Sequence, residues 1–189
     1  HAKPVKTIKL EMLDVLPKAQ DDGWNLVRKW LAAEAYNDVP KSAKIPSHGM
    51  LANDVEVMEA AGLVRRLHPD EVPEGGVRLF YVVEAVKRRR RPIRWTQNIN
   101  NWFGRDSLYG TTFASREEQR EISRRASHSA TLDFAAWFDQ IPLEEDAQKR
   151  FCFRHGDAAY ALTRLPMGQR QSVDVASEVT RRLLNFVLP

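Results

Sequence analysis

Residues 77–96 read VRLFYVVEAVKRRRRPIRWT, a pattern that leaves the chain few folds to choose from. The first half, 77–86, is rich in β-branched and aromatic side chains and reads as a strand. RPIRWT, beyond a cationic turn, is its expected hairpin partner. Pro92 cannot donate to a ladder, so it must sit on an edge strand or at a strand's start. Between Glu84 and Arg94 there are six cations and one anion. Basic density of this kind is the usual footprint of a phosphate-backbone partner. A solvated loop or a localisation signal would present the same run.

Around that hairpin there is room for one domain, or two small subdomains, with a real hydrophobic core: the chain has 189 residues, 43% of them hydrophobic. No apolar stretch reaches the ~20 residues a membrane span needs, so no membrane partner is expected. The start, HAKPVKTIKLEML, is too polar for a secretory signal and lacks an initiator Met, which points to a fragment or a processed chain. Cys152 is the one cysteine, which excludes an internal disulfide framework and fits a reducing, intracellular setting, nuclear or cytoplasmic. His1, His48, His68, His128 and His155 lack the spacing of zinc ligands.

Helical periodicity marks GWNLVRKWLAAEAYNDV, where Trp24, Val27, Leu31 and Ala35 share a face, with Asp21 or Asp22 as N-cap and Pro40 beyond the end. Arg28 and Lys29 lie on its other face; the helix is expected to pack, and a nucleic-acid contact is the lesser alternative. KSAKIPSHGM (41–50) reads as a connecting loop. NDVEVMEAAGL forms a second helix, opened by Asn53 or Asp54 and closed near Gly62. HPDEVPEGG is dense in turn formers, and NINNWFGRDSLYGTT (98–112) looks irregular. Ser115 with Glu118 makes a capping box for a helix through SREEQREISRRAS, whose charge predicts that it faces solvent or lies along a polyanion. FCFRHGDAAYALTRLP reads as a hairpin turning at His155-Gly156-Asp157. SVDVASEVTRRLLNF closes the chain as a helix, with Ser172 as N-cap.

TLDFAAWFDQIPL (131–143) sets Asp133 and Asp139 among Leu132, Phe134, Trp137, Phe138 and Ile141. It reads as a strand running into a helix. A buried carboxylate is costly unless it is paired, hydrogen-bonded or holding a metal. Asp133 could therefore cap the helix, pair with an arginine or ligate a metal.

The order of four stretches narrows that choice. VEVMEAAGLVRRL, VRLFYVVEAVKRRRRPIRWTQNIN, TLDFAAWFDQIPL and YALTRLPMGQRQS together resemble the front half of a reverse transcriptase, an RNA-directed DNA polymerase. In that family a helix ending in Gly precedes a fingers hairpin, which carries an arginine and closes on an Ile-Asn pair, here Ile99-Asn100. An "LD-x-x-x-aromatic-x-Q-I" palm motif follows, and then "LP-x-G-x-x-x-S". The resemblance covers roughly residues 53–186. DFAAWFDQ and LPMGQRQSV look most like the VIPER elements of trypanosomatids, among the DIRS-like retroelements.

The resemblance implies an α/β (α+β) fold with an antiparallel sheet and packed helices. It implies fingers over 53–130 and the first half of a palm over 131–189, preceded by an N-terminal helical extension, 1–52. It implies Asp133 as catalytic residue and metal ligand, with the Phe134 carbonyl as a second oxygen for Mg²⁺ or Mn²⁺. Phe138 matches the aromatic under the incoming sugar, where its ring would clash with a 2′-OH. Trp137 departs from the small residue common there. Arg91 matches the fingers arginine on the triphosphate, with Lys87 or Arg88 as second phosphate ligand. Met167 and Gln169 would line the nucleotide and template side, and Gly168 would let the backbone approach closely. Arg88, Arg89, Arg90 and Arg94 would touch template backbone.

Two-metal chemistry also needs a Y-x-D-D-like acidic cluster, and no Asp follows Asp174. The expected function is therefore a fragment of a retroelement polymerase, binding template-primer and dNTP in a complete parent and inactive without its remaining palm, thumb and RNase H. The alternatives are a non-catalytic nucleic-acid-binding remnant or ribonucleoprotein component, and a module whose basic hairpin meets an acidic protein.

Overall fold

The computed structural model of the chain describes residues 5–14, 21–41, 49–103 and 114–187. Helices α1 (Glu11–Asp14) and α2 (Asp21–Leu31) open it, followed by a 3₁₀ turn, Ala33–Tyr36, and α3 (Ala52–Ala60). Then come β1 (Val64–Arg66), the hairpin β2 (Arg78–Glu84) and β3 (Arg89–Trp95), and α4 (Gln97–Trp102). The rest is α5 (Arg116–Arg125), α6 (Trp137–Gln140), α7 (Glu145–Gln148), β4 (Cys152–His155), β5 (Ala158–Leu162) and α8 (Ser172–Val187).

Both sheets are antiparallel: β2 pairs with β3 alone, and a three-stranded sheet runs β1-β5-β4. β1 thus joins a hairpin distant in sequence, and the pairing crosses the expected boundary at 131. Within β1, Arg65 holds Glu71 through two hydrogen bonds of 2.8 Å. The Arg65 guanidinium keeps the Glu71 carboxyl down at about 2. Trp24, Val27 and Leu31 of α2 enter one continuous core with Val175 and Val179 of α8, and with Ile141, Leu143 and Phe151. Arg182 of α8 is buried there, donating to the Leu13 carbonyl (2.8 Å), its guanidinium 4.5 Å from the Trp24 ring. The N-terminal residues are integral to this core.

Several local expectations change. The first long helix stops at Leu31, because the Leu31 carbonyl accepts from the Glu144 amide (3.0 Å) and Ala32 turns to extended backbone. The side chains of Asp21 and Asp22, its expected caps, lie outside the described residues, as do 42–48 of the predicted loop and 104–113. In α3, Asp54 sits one turn in and accepts from the Leu51 amide (2.7 Å), so neither Asn53 nor Asp54 occupies the cap position. Part of the irregular stretch is helical, as α4. Ser172 is inside α8, and its hydroxyl donates to the Pro166 carbonyl (2.7 Å) in place of capping. The capping box at α5 forms as expected: the Ser115 amide donates to Glu118 (2.6 Å) and the Glu118 amide to the Ser115 hydroxyl (3.2 Å).

The largest change is at 131–134, which forms no strand. A strand exists by virtue of a ladder, and this segment pairs with none of the described strands. Leu132 is 72% exposed. The chain turns into α6 only after Ala136 adopts a left-handed conformation (φ 52°).

Candidate nucleotide and nucleic-acid site

The β2–β3 register puts Leu79 opposite Arg94, Val82 opposite Arg91, Val83 opposite Arg90 and Glu84 opposite Arg89. Opposed residues share a face, so the arginine run is divided between two sides of the hairpin. Glu84 engages both Arg89 and Arg91 (2.7 Å to the latter). The hydrogen bond from Arg89 is the main force lowering the Glu84 pKa. Arg90 pairs with Asp54 (2.8 Å) and lies 4.4 Å over the Tyr81 ring. Among the described residues, Lys87 and Arg88 in the turn have no carboxylate partner, and Arg88 has a positive φ of 47°. Exposed ion pairs of this kind contribute little, so a phosphate could displace Glu84 easily.

Arg94 is different. Its side chain is 7% exposed and pairs with Asp139. Facing inward opposite fully buried Leu79, it is spent on that pair at the wall of the cleft between the hairpin and α6 and not on an exposed surface. Asp139, the second acid of TLDFAAWFDQIPL, is its charge partner.

Between the hairpin and α6 lies a cleft of about 340 Å³ lined by Arg89, Arg91, Trp137, Phe138 and Met167, among others. Three expected nucleotide-side residues, Arg91, Phe138 and Met167, are thereby brought together from positions remote in sequence. The Trp137 ring, also on the cleft wall, stacks on Phe134 at 4.3 Å.

The loop after β5 is positioned by close contacts. A Cβ on Gly168 would lie 2.4 Å from the Arg94 carbonyl oxygen, so only glycine lets the loop pass β3. Asn100 donates to the Gly168 carbonyl (2.8 Å) and accepts from the Arg170 amide (2.9 Å). Gln169 does not reach the cleft: it is 2% exposed and donates to the Tyr36 hydroxyl (2.6 Å). Tyr36 in turn donates to the Trp30 carbonyl (2.7 Å), and burial raises its pKa. No sequence signal marked Tyr36, because a core tyrosine looks like any other.

Asp133 stays outside this constellation. It is exposed and lies in the unpaired segment before α6. Among the described residues no group of three His, Cys, Asp or Glu side chains could hold a metal ion. The residues described do not make a divalent-metal centre, and no catalytic step follows through one. No helix among them is long and apolar enough to cross a membrane.

No protein-family model and no curated protein matches the sequence. Solved structures do match, and they define the class of fold: mixed helix and antiparallel sheet of the reverse-transcriptase type. One is a foamy viral protease-reverse transcriptase in complex with double-stranded DNA, 13% identical, with a TM-score of 0.52 over 97% of this chain and 36% of its own. Another is the native prototype foamy virus protease-reverse transcriptase, 15% identical, with a TM-score of 0.58 over 98% of this chain and 28% of its own. The chain thus spans little more than a third of these proteins at most. At such identity the likeness is one of fold.

Proposed function

We propose that the chain is the fingers and leading palm portion of a reverse transcriptase, which binds template-primer and dNTP in its complete form. The observation that carries this reading is the cleft uniting Arg91, Phe138 and Met167. Arg91, with Lys87 or Arg88 at the hairpin tip, would hold phosphate oxygens through charge-assisted hydrogen bonds. Phe138 would lie under the sugar, with Met167 and Gly168 beside it. Arg88, Arg89 and Arg90 would meet template backbone, whereas Arg94 and Gln169 would act by holding the cleft walls. Asp133 would supply one ligand, with the Phe134 carbonyl, to Mg²⁺ or Mn²⁺ in an enzyme that brings further carboxylates. Kinship with VIPER/DIRS-like retroelements rests on DFAAWFDQ and LPMGQRQSV alone, and an intracellular location on the single cysteine.

A non-catalytic nucleic-acid-binding role is favoured for the chain by itself, because Asp133 stands exposed and, among the described residues, belongs to no group of carboxylates that could hold a metal. Binding of a labelled template-primer across a salt series, with an extension assay in Mg²⁺, tests both statements. We expect binding that weakens steeply with salt and no extension. Primer extension by the chain would overturn its incompleteness, and absence of binding would overturn the nucleic-acid role.

A further inference from the structure

Helix α5 buries no side chain, and every residue from Ala114 to Asp133 is exposed. An isolated helix of this length is marginal in water. The local devices that hold it are the Ser115–Glu118 capping box and the Arg125–Glu121 bond of 2.9 Å. Its charges are sorted. Arg116, Arg120 and Arg124 recur at i, i+4 and i+8 on one face, with Gln119 and Ser123 beside them. The carboxylates border that row on one side: Glu118 serves the cap, Glu117 and Glu121 flank it, and Glu121 binds Arg125 and lies 3.7 Å from Arg124. Arg116 and Arg120 have no carboxylate partner among the described residues. Gln119 and Ser123 spend their donors on the backbone, on the Ala114 and Gln119 carbonyls (2.8 and 2.7 Å). Most of the unspent donors of this face belong to guanidinium groups.

We infer that the Arg116–Arg120–Arg124 face of α5 is a second nucleic-acid contact, separate from the hairpin and directed at the phosphodiester backbone. Successive arginines are about 6 Å apart along the helix axis. That is close to two phosphate steps of about 3.4 Å along one strand of a duplex. Guanidinium forks suit phosphate oxygens, and a backbone contact made without bases would be independent of sequence. This inference rests on the nucleic-acid reading above and deepens it.

The test is Arg116→Gln/Arg120→Gln/Arg124→Gln in the intact chain, with binding of a short fluorescein-labelled RNA–DNA hybrid followed from low to physiological salt. Glutamine keeps helix propensity, and the helix packs against nothing described, so the fold is retained; far-UV circular dichroism checks it. Loss of about 2–3 from the slope of log K against log[salt] is expected. An unchanged slope, with hybrid binding intact, overturns the α5 contact and leaves the hairpin reading standing. A substitution that abolishes binding to polyglutamate but spares the hybrid also overturns it, by assigning the face to an acidic protein. If the unaltered chain binds no hybrid, both readings fall.

Discussion

Arg94 carries a permanent charge into a place where Nε and Nη2 are buried with no hydrogen-bond partner among the described residues, and Asp139 is what makes that tolerable. Breaking a buried ion pair from one side leaves an uncompensated charge. Asp139→Asn should therefore destabilise the fold by about 2–4 kcal/mol in urea unfolding, a value reduced because Asp139 is partly exposed. A loss under about 0.5 kcal/mol would show that the pair contributes no more than a surface contact. At this scale the motifs singled out Arg91, Phe138 and Met167, which the structure gathers at one cleft, and Gly168, which it packs against β3. Arg94 was not legible, because a run of arginines does not disclose the hairpin register. A shift of one residue exchanges the two faces of a strand, and only the pairing with Leu79 shows which way Arg94 points. Gln169 was misread similarly, its amide being drawn inward by a tyrosine far away in sequence.

Elements whose support is local were the easiest to foresee. The α5 capping box, the β-branched and aromatic run of β2 and the turn at Gly156 (φ 58°) each depend on a few neighbouring residues. The segment at 131–134 depends on a partner strand, which its own residues cannot announce. Where an element touches another through backbone, substitution has a calculable outcome. Gly168→Ala would force a Cβ against the Arg94 carbonyl, an obstacle that cannot rotate away. It should cost about 1–3 kcal/mol by denaturant unfolding and weaken template-primer binding, because the loop carrying Met167 must retreat from the cleft. Full retention of both would mean that β3 yields freely there.

For the whole molecule, packing runs across residue 131, the expected boundary between fingers and palm. β1 completes a sheet with β5, and α2 packs on α8, so contacts join both ends of the chain. A chain beginning at residue 53 would leave Arg182 without the Leu13 carbonyl and the Trp24 ring. It should lose its cooperative urea transition, monitored by the remaining tryptophans; a sharp transition at unaltered midpoint would show that residues 53–189 fold alone. The Tyr36 hydroxyl, fixed between the Trp30 carbonyl and Gln169, bears on how such a sequence can drift. Residues 30–36 match no motif, yet they hold the loop that does. Tyr36 and Gln169 should therefore change together among descendants of this chain, and a substitution at either alone would be felt at the cleft before it was visible in any motif.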